Sequence, residues 1–284
     1  MDLIREADRI AAWVRSRRDA GGSVALVPTM GALHEGHRSL IDRARTEADA
    51  VVVSIFVNPL QFAPGEDLAR YPRDEAGDLE RCREAGVDAV WGPTVEEMYP
   101  SGSDLPAPDP GPVGDTFEGA ARPGHFAGVL RAVHRLLTAV GPDVACFGEK
   151  DAQQLFLVRR MVGDEAMPVR IVACPTVREP DGLALSSRNA YLSTEEREQA
   201  ACSFLALSEA AVRSRAGEED PAVLVAAMAR EIGATPLARP DYIAVVDDAT
   251  FAPVVRVGPG ARAIVAVRFP SARLIDNLSL PLPA

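Results

Sequence analysis

No apolar run in the chain reaches the roughly 18 residues needed to cross a bilayer, so no membrane association is expected. The N-terminus, MDLIREADRIAAWVRSRRD, mixes charged and apolar residues at helical spacing and reads as an amphipathic helix, not a signal peptide. Cysteine is sparse: Cys82, Cys146, Cys174 and Cys202 form no CxxC pair, and three of them lie in apolar stretches. Thiols in such places serve as small core residues, which points to a reducing cytoplasm. Positive charge is also short, with 30 Lys and Arg against 41 Asp and Glu, a net charge of −11. That balance opposes the non-specific phosphate attraction behind most nucleic-acid binding, so nucleic acid is not an expected partner. Lysine is nearly missing altogether: Lys150 is the only one, and every other side-chain cation apart from histidine is arginine. A coding bias accounts for the depletion but leaves open why this one position kept an ammonium.

What remains is the composition of a globular protein, with 47% hydrophobic and 25% charged residues over 284 positions. Short β-rich runs alternate with helical stretches from residue 23 onward. Strands are expected at 23–28, 50–56, 88–91, 143–147 and 169–174, and helices at 37–48, 74–85, 126–140 and 151–162. This order predicts an α/β fold: a Rossmann-like, doubly wound parallel sheet with helices on both faces. Beyond about residue 176 the texture changes to helices at 194–215 and 220–232, followed by β-rich runs at 241–247 and 262–269. We therefore expect a Rossmann-like nucleotide- and substrate-binding domain over residues 1–175 and a smaller C-terminal α+β domain over 176–284 that covers the active site.

Ligands of such sheets bind beyond the carboxyl ends of the strands, and three motifs fall there: PTMGALHEGH, NPLQF and GEKD. In the first, Gly31 and Gly36 permit a tight turn into a helix whose N-terminal N–H groups suit phosphate. His34 and His37 stand at i and i+3, where two imidazoles can hydrogen-bond a triphosphate and stabilise charge during its cleavage. The plainer alternative is that both are surface or capping residues. Zinc ligation is a third reading, weakened because only His125 and His134 remain as further histidines and no cysteine lies nearby.

PTMGALHEGH resembles the H-x-G-H signature of the nucleotidyltransferase superfamily. Together with NPLQFAPGEDLARYPR, RPGHFAGV, PDVACFGEKDAQQL, DGLALSSRNAYL and RLIDN, it is similar to the pantothenate synthetase family over essentially the whole chain. The resemblance implies ATP-dependent condensation of (R)-pantoate with β-alanine through a pantoyl-adenylate, releasing AMP and pyrophosphate, by a cytoplasmic homodimer. It assigns ATP contacts to Met30, Gly31, Ala32, Leu33, His34, Glu35, Gly36 and His37, to Gly148, Glu149, Lys150 and Asp151, and to Val177, Leu185, Ser186, Ser187 and Arg188. Leu185 departs from the methionine common in related sequences, a swap that keeps approximate volume.

Pantoate contact is carried over to Gln61 and Gln154, amides that can donate and accept without imposing charge. His37, His34 and Lys150 are the candidate catalytic groups, with His37 named as proton donor to pyrophosphate or as a hydrogen-bond donor only. Mg²⁺ is expected with ATP, held mainly by phosphates, with Asp78 a candidate carboxylate ligand and Arg122 a candidate phosphate contact. Two other functions stay open at this point: a different H-x-G-H nucleotidyltransferase that keeps AMP in its product, and a noncatalytic adenine-nucleotide sensor.

Overall fold

The structure, a computed structural model, describes residues 1–63, 65–102 and 105–282. Its elements are β1 (Asp2–Ile4), α1 (Ala7–Asp19), β2 (Val24–Thr29), α2 (Glu35–Glu47), β3 (Ala50–Ile55), α3 (Glu75–Glu84), β4 (Ala89–Trp91), α4 (Val95–Met98), α5 (Glu118–Ala121), α6 (His125–Val140), β5 (Val144–Gly148), α7 (Ala152–Asp164) and β6 (Arg170–Cys174). There follow α8 (Thr194–Gln199), α9 (Cys202–Arg215), α10 (Pro221–Gly233), β7 (Arg239–Asp247), β8 (Ala261–Arg268) and β9 (Arg273–Ser279). Two compact units result: Met1–Glu149 with Leu157–Pro175, and Lys150–Phe156 with Thr176–Ala284.

The first unit is built on a six-stranded sheet in the order β1-β4-β3-β2-β5-β6, every neighbouring pair parallel. The apolar, β-branched runs VALVPT and AVVVSI are buried along their length because helices cover both faces. Ala25 and Val27 point to a layer formed with Ile41 and Ala44 of α2 and Cys82 of α3. Val24 and Leu26, opposite by the strand period of two, are equally buried, and α1 and α6 also pack on β2. The chain runs outward from β2 to β3 and β4, then returns to place β5 on the other side of β2. That reversal opens a crevice at the carboxyl ends of β2 and β5, the usual ligand position in such sheets.

Three segments differ from the sequence reading. Residues 2–4 are an edge strand paired with β4, Asp2 opposite Ala89 and Ile4 opposite Trp91, and the helix starts only at Ala7. A three-residue strand has no periodicity of its own; its partner lies more than eighty residues away. The stretch 194–215 is two helices, broken after Gln199. RLIDN, left without an element, lies in β9.

The second unit carries an antiparallel sheet, β7-β8-β9, whose buried face meets α9 and α10. Leu207, Leu224, Met228 and Ile232 pack there on Val245, Val265 and Val267. β7 is exposed or half-buried over most of its length, whereas the central strand β8 is buried at all but Arg262 and Arg268.

Candidate active site

After β2 the backbone enters the left-handed region at two successive residues, Gly31 at φ +80 and Ala32 at φ +52. Alanine is strained there, so something must hold it. Asp78, from the first turn of α3, does: its carboxylate accepts from Ala32 N at 2.9 Å and Leu33 N at 2.7 Å. A Cβ on Gly31 would lie 2.8 Å from Asp78 Oδ2, so glycine also makes room for this contact. Asp78 is only 1% exposed. With both oxygens engaged by loop amides, Asp78 shapes the loop, and we revise its reading as a Mg²⁺ ligand accordingly. Among the described residues no group of three or more His, Cys, Asp or Glu side chains converges as a metal site.

The loop delivers His34 as N-cap of α2. His34 Nδ1 accepts from Gly36 N at 3.1 Å, and His37 Nδ1 accepts from His34 N at 3.2 Å. The rings lie 4.2 Å apart, tilted by 46°. Capping and phosphate recognition, alternatives in the sequence, are thus compatible here. A ring nitrogen that accepts from a backbone N–H carries no proton, so in each neutral imidazole the proton sits on Nε2. Capping therefore selects the tautomer and makes both Nε2 atoms donors.

Beyond β3, Asn58 starts a tight turn over Pro59–Gln61. Its Oδ1 accepts from Leu60 N at 3.2 Å and Tyr99 Oη at 2.9 Å. Its Nδ2 donates to Gln61 Oε1 at 3.1 Å and to Gly128 O at 3.0 Å. Gln61 Nε2 in turn donates to Met30 Sδ at 3.1 Å, joining the first two motifs. Asn58 was passed over in the sequence although an Asn before Pro at a turn start is a legible capping signal.

Arg122 is not directed as expected. Its guanidinium grips Glu66 through two hydrogen bonds, 2.9 and 2.7 Å, and also faces Gln61 O at 3.3 Å. These bonds commit it to the Gln61 segment, which replaces its reading as a phosphate contact. His125 Nδ1 donates to Gln61 O at 2.9 Å, while its Nε2 accepts from Arg122 Nη1 at 3.0 Å. Burial, with Arg122 adding to it, pulls the His125 pKa down from 6.5 to about 4. Burial alone would raise the Glu66 carboxyl, but Arg122 outweighs it and holds that group below the usual carboxylate range.

A pH dependence follows. Between pH 6.5 and about 4 the unfolded chain takes up a proton that the native His125 refuses, so stability falls as pH falls through this window. The full effect is on the order of 3 kcal/mol. Urea denaturation at stepped pH should show it in the wild type and show a shallower slope in His125→Gln. Equal slopes would rule the assignment out.

At the end of β5, Gly148 and Glu149 lead into a short turn over Glu149–Asp151. Because β5 lies beside β2, the first two residues of GEKD reach the same sheet edge as the histidine loop and the Asn58 turn. In the second unit, Lys150 Nζ lies 3.2 Å from Asp151 Oδ1, and the Lys150 side chain is only 20% exposed. Gln154 follows on α7, half-buried. Leu185 N donates to Val177 O at 3.0 Å, bringing two of the expected nucleotide contacts side by side. Ser186 caps the next turn, Ser187–Tyr191, by accepting from Arg188 N at 3.3 Å.

The family model for pantoate-beta-alanine ligase matches residues 2–279. A pantothenate synthetase of Chloroflexus aggregans is 52% identical, covering 94% of this chain and 96% of that protein. The enzyme of the same description from Agrobacterium fabrum is 51% identical over 98% of this chain and 95% of its own length. Among solved structures, pantothenate synthetase from Thermus thermophilus superposes with a TM-score of 0.93 at 48% identity, covering all of both chains. Pantoate-beta-alanine ligase from Francisella tularensis, solved with beta-gamma ATP and beta-alanine, gives 0.78 at 32% identity, covering 98% of this chain and 97% of that one. With the match spanning both units, the chain belongs to the pantoate-beta-alanine ligase family.

Proposed function

We propose that the chain condenses (R)-pantoate with β-alanine at the expense of ATP, by way of a pantoyl-adenylate. The observation that carries this within the chain is the sheet edge where the paired imidazoles at the α2 N-terminus meet the Met30–Gln61 contact. The segments that carry them follow the neighbouring parallel strands β2 and β3. First, a pantoate carboxylate oxygen attacks the α-phosphorus of ATP and pyrophosphate leaves. Then the neutral amine of β-alanine attacks the acyl carbon, and AMP leaves with the bonding pair.

Neither step needs an enzyme nucleophile; alignment and charge stabilisation supply the rate. The Nε2–H groups of His34 and His37 donate to phosphate oxygens as charge builds up on them. With Nδ1 occupied as an acceptor, His37 serves as a neutral hydrogen-bond donor, since giving up Nε2–H would leave an imidazolate. Gln61 and Gln154 hold pantoate, Lys150 neutralises triphosphate charge, and Val177 with Leu185–Arg188 contacts the nucleotide, following the family pattern. Mg²⁺ enters with the ATP phosphates. The homodimer and the cytoplasmic location belong to the same proposal, the first from family likeness and the second from four buried free thiols.

The deciding assay is pantoate-dependent exchange of pyrophosphate into ATP without β-alanine. Exchange supports the adenylate; a product retaining AMP points to another nucleotidyltransferase, and no pyrophosphate release at all points to a sensor. His34→Ala and His37→Ala should each slow adenylate formation by about 10²–10³-fold, the usual loss for one preorganised donor. Amine attack on preformed pantoyl-adenylate should be far less affected. Equal damage to both steps would contradict the role given to the imidazoles.

A further inference from the structure

The reaction above gives no work to RLIDN, which contains Asn277 on β9. Asn277 is 4% exposed, and its side-chain amide is committed at both ends. Nδ2 donates to the main-chain carbonyl of Lys150 at 2.8 Å, across 127 residues of sequence. Oδ1 accepts from Arg262 Nη1 at 2.5 Å. Arg262 is itself fixed by two bonds to Asp248, 2.6 and 3.1 Å. Since guanidinium only donates, it settles which way the amide points: oxygen toward Arg262, NH₂ toward Lys150. Behind Asn277, Arg178 ties down the strand through a two-bond pair with Asp276, 2.5 and 2.9 Å.

We propose that Asn277 is a positioning residue for the adenylation step, setting the main chain from which the Lys150 ammonium projects. The proposal rests on the reading of Lys150 as a triphosphate-binding group. Lys150 is the middle residue of the short turn that leads into α7, and the Asn277 amide holds its main-chain carbonyl there. The bond is partly buried and its donor is held from the other side by Arg262, so a substitute partner would have to match a fixed geometry. Asn277 touches no reacting atom in this scheme and acts only through Lys150.

The test is Asn277→Asp, which keeps the volume and the partner of Arg262 but sets an oxygen against the Lys150 carbonyl. Single-turnover pantoyl-adenylate formation should slow by about ten- to a hundredfold, the scale of a 1 Å error in a catalytic group. Melting temperature and pantoate affinity should stay near wild type. Because Lys150 is the only lysine, protein made with carbonyl-¹³C lysine gives one lysine carbonyl signal, which should move in Asn277→Asp. A moved signal with an unchanged rate overturns the proposal, as does a slowed rate with the signal unmoved. Should Asn277→Asp not fold, Arg262→Lys, which keeps the charge facing Asp248 and removes the fork to Asn277, is put to the same two measurements with the same outcomes. If Lys150→Ala keeps the wild-type rate, the reading of Lys150 fails and this proposal with it. If Lys150→Ala is slow while Asn277→Asp is not, only the proposal fails.

Discussion

Gly128→Ala is expected to lose on the order of 10²-fold in pantoate activation while ATP affinity stays within a few-fold of wild type. Gly128 lies on α6 directly against the turn that carries Gln61. A Cβ there would sit 2.1 Å from Leu60 O, 2.4 Å from Leu60 C and 2.8 Å from Gln61 N. All three are backbone atoms, so no side-chain rotation relieves the overlap. Either the turn or the helix must move by about 1 Å, and Gly128 O also loses its geometry with Asn58. Overpacking of this kind costs about 1–3 kcal/mol in stability, which a melting curve would register. Alanine is otherwise the better helix former, so propensity alone would predict stabilisation. Steady-state kinetics with varied pantoate, beside nucleotide binding, separate the two: near-normal pantoate kinetics would mean that the Gln61 turn does not set substrate position.

Lys150→Arg is expected to be nearly as damaging as Lys150→Ala although it keeps the charge. An ammonium is a compact point charge with three rotatable donors, and guanidinium is a wider planar fork on a stem of different reach. Aligned in-line attack is sensitive at the scale of 1 Å, where a misplacement costs on the order of 10²-fold. That corresponds to about 2.7 kcal/mol in barrier height. The surroundings leave little slack: the side chain is 20% exposed, and Asp151 lies 3.2 Å from Nζ. In a chain where arginine has taken every other such position, free exchange here would be the mark of a solvated surface residue. Single-turnover adenylate formation in both variants decides, and near wild-type rates for Lys150→Arg would remove the special role of the ammonium.

What the sequence made legible was local. The apolar runs of β2, β3 and β5 and the i, i+3 spacing of His34 and His37 carry their own signal, because strand period and helix period are short. The assignments that changed depended on partners far along the chain. Arg122 looks like a phosphate ligand until Glu66, 56 residues away, takes Nε and Nη2 of its guanidinium and His125 takes Nη1. Asp78 looks like a metal ligand until the amides of Ala32 and Leu33 are placed on it. The tautomer of the histidine pair was equally out of reach, since it follows from individual hydrogen bonds at Nδ1 and not from spacing. Asn58 is a different case, a readable capping residue overshadowed by the glutamine three positions later.

The strand order β4-β3-β2-β5-β6 also bears on how the chain is made. β2 is synthesised early, pairs with β3 on one side, and must wait for residues 144–148 to cover the other. Over the interval of roughly 5–20 seconds that about 100 residues take to emerge, at 5–20 residues per second, that edge offers open N–H and C=O groups along an apolar run. A ribosome stalled before Val144 therefore displays a nascent chain with a sticky strand, an obvious client for chaperones. Release of that client would coincide with the arrival of β5, the same event that first gives the ligand crevice its second wall.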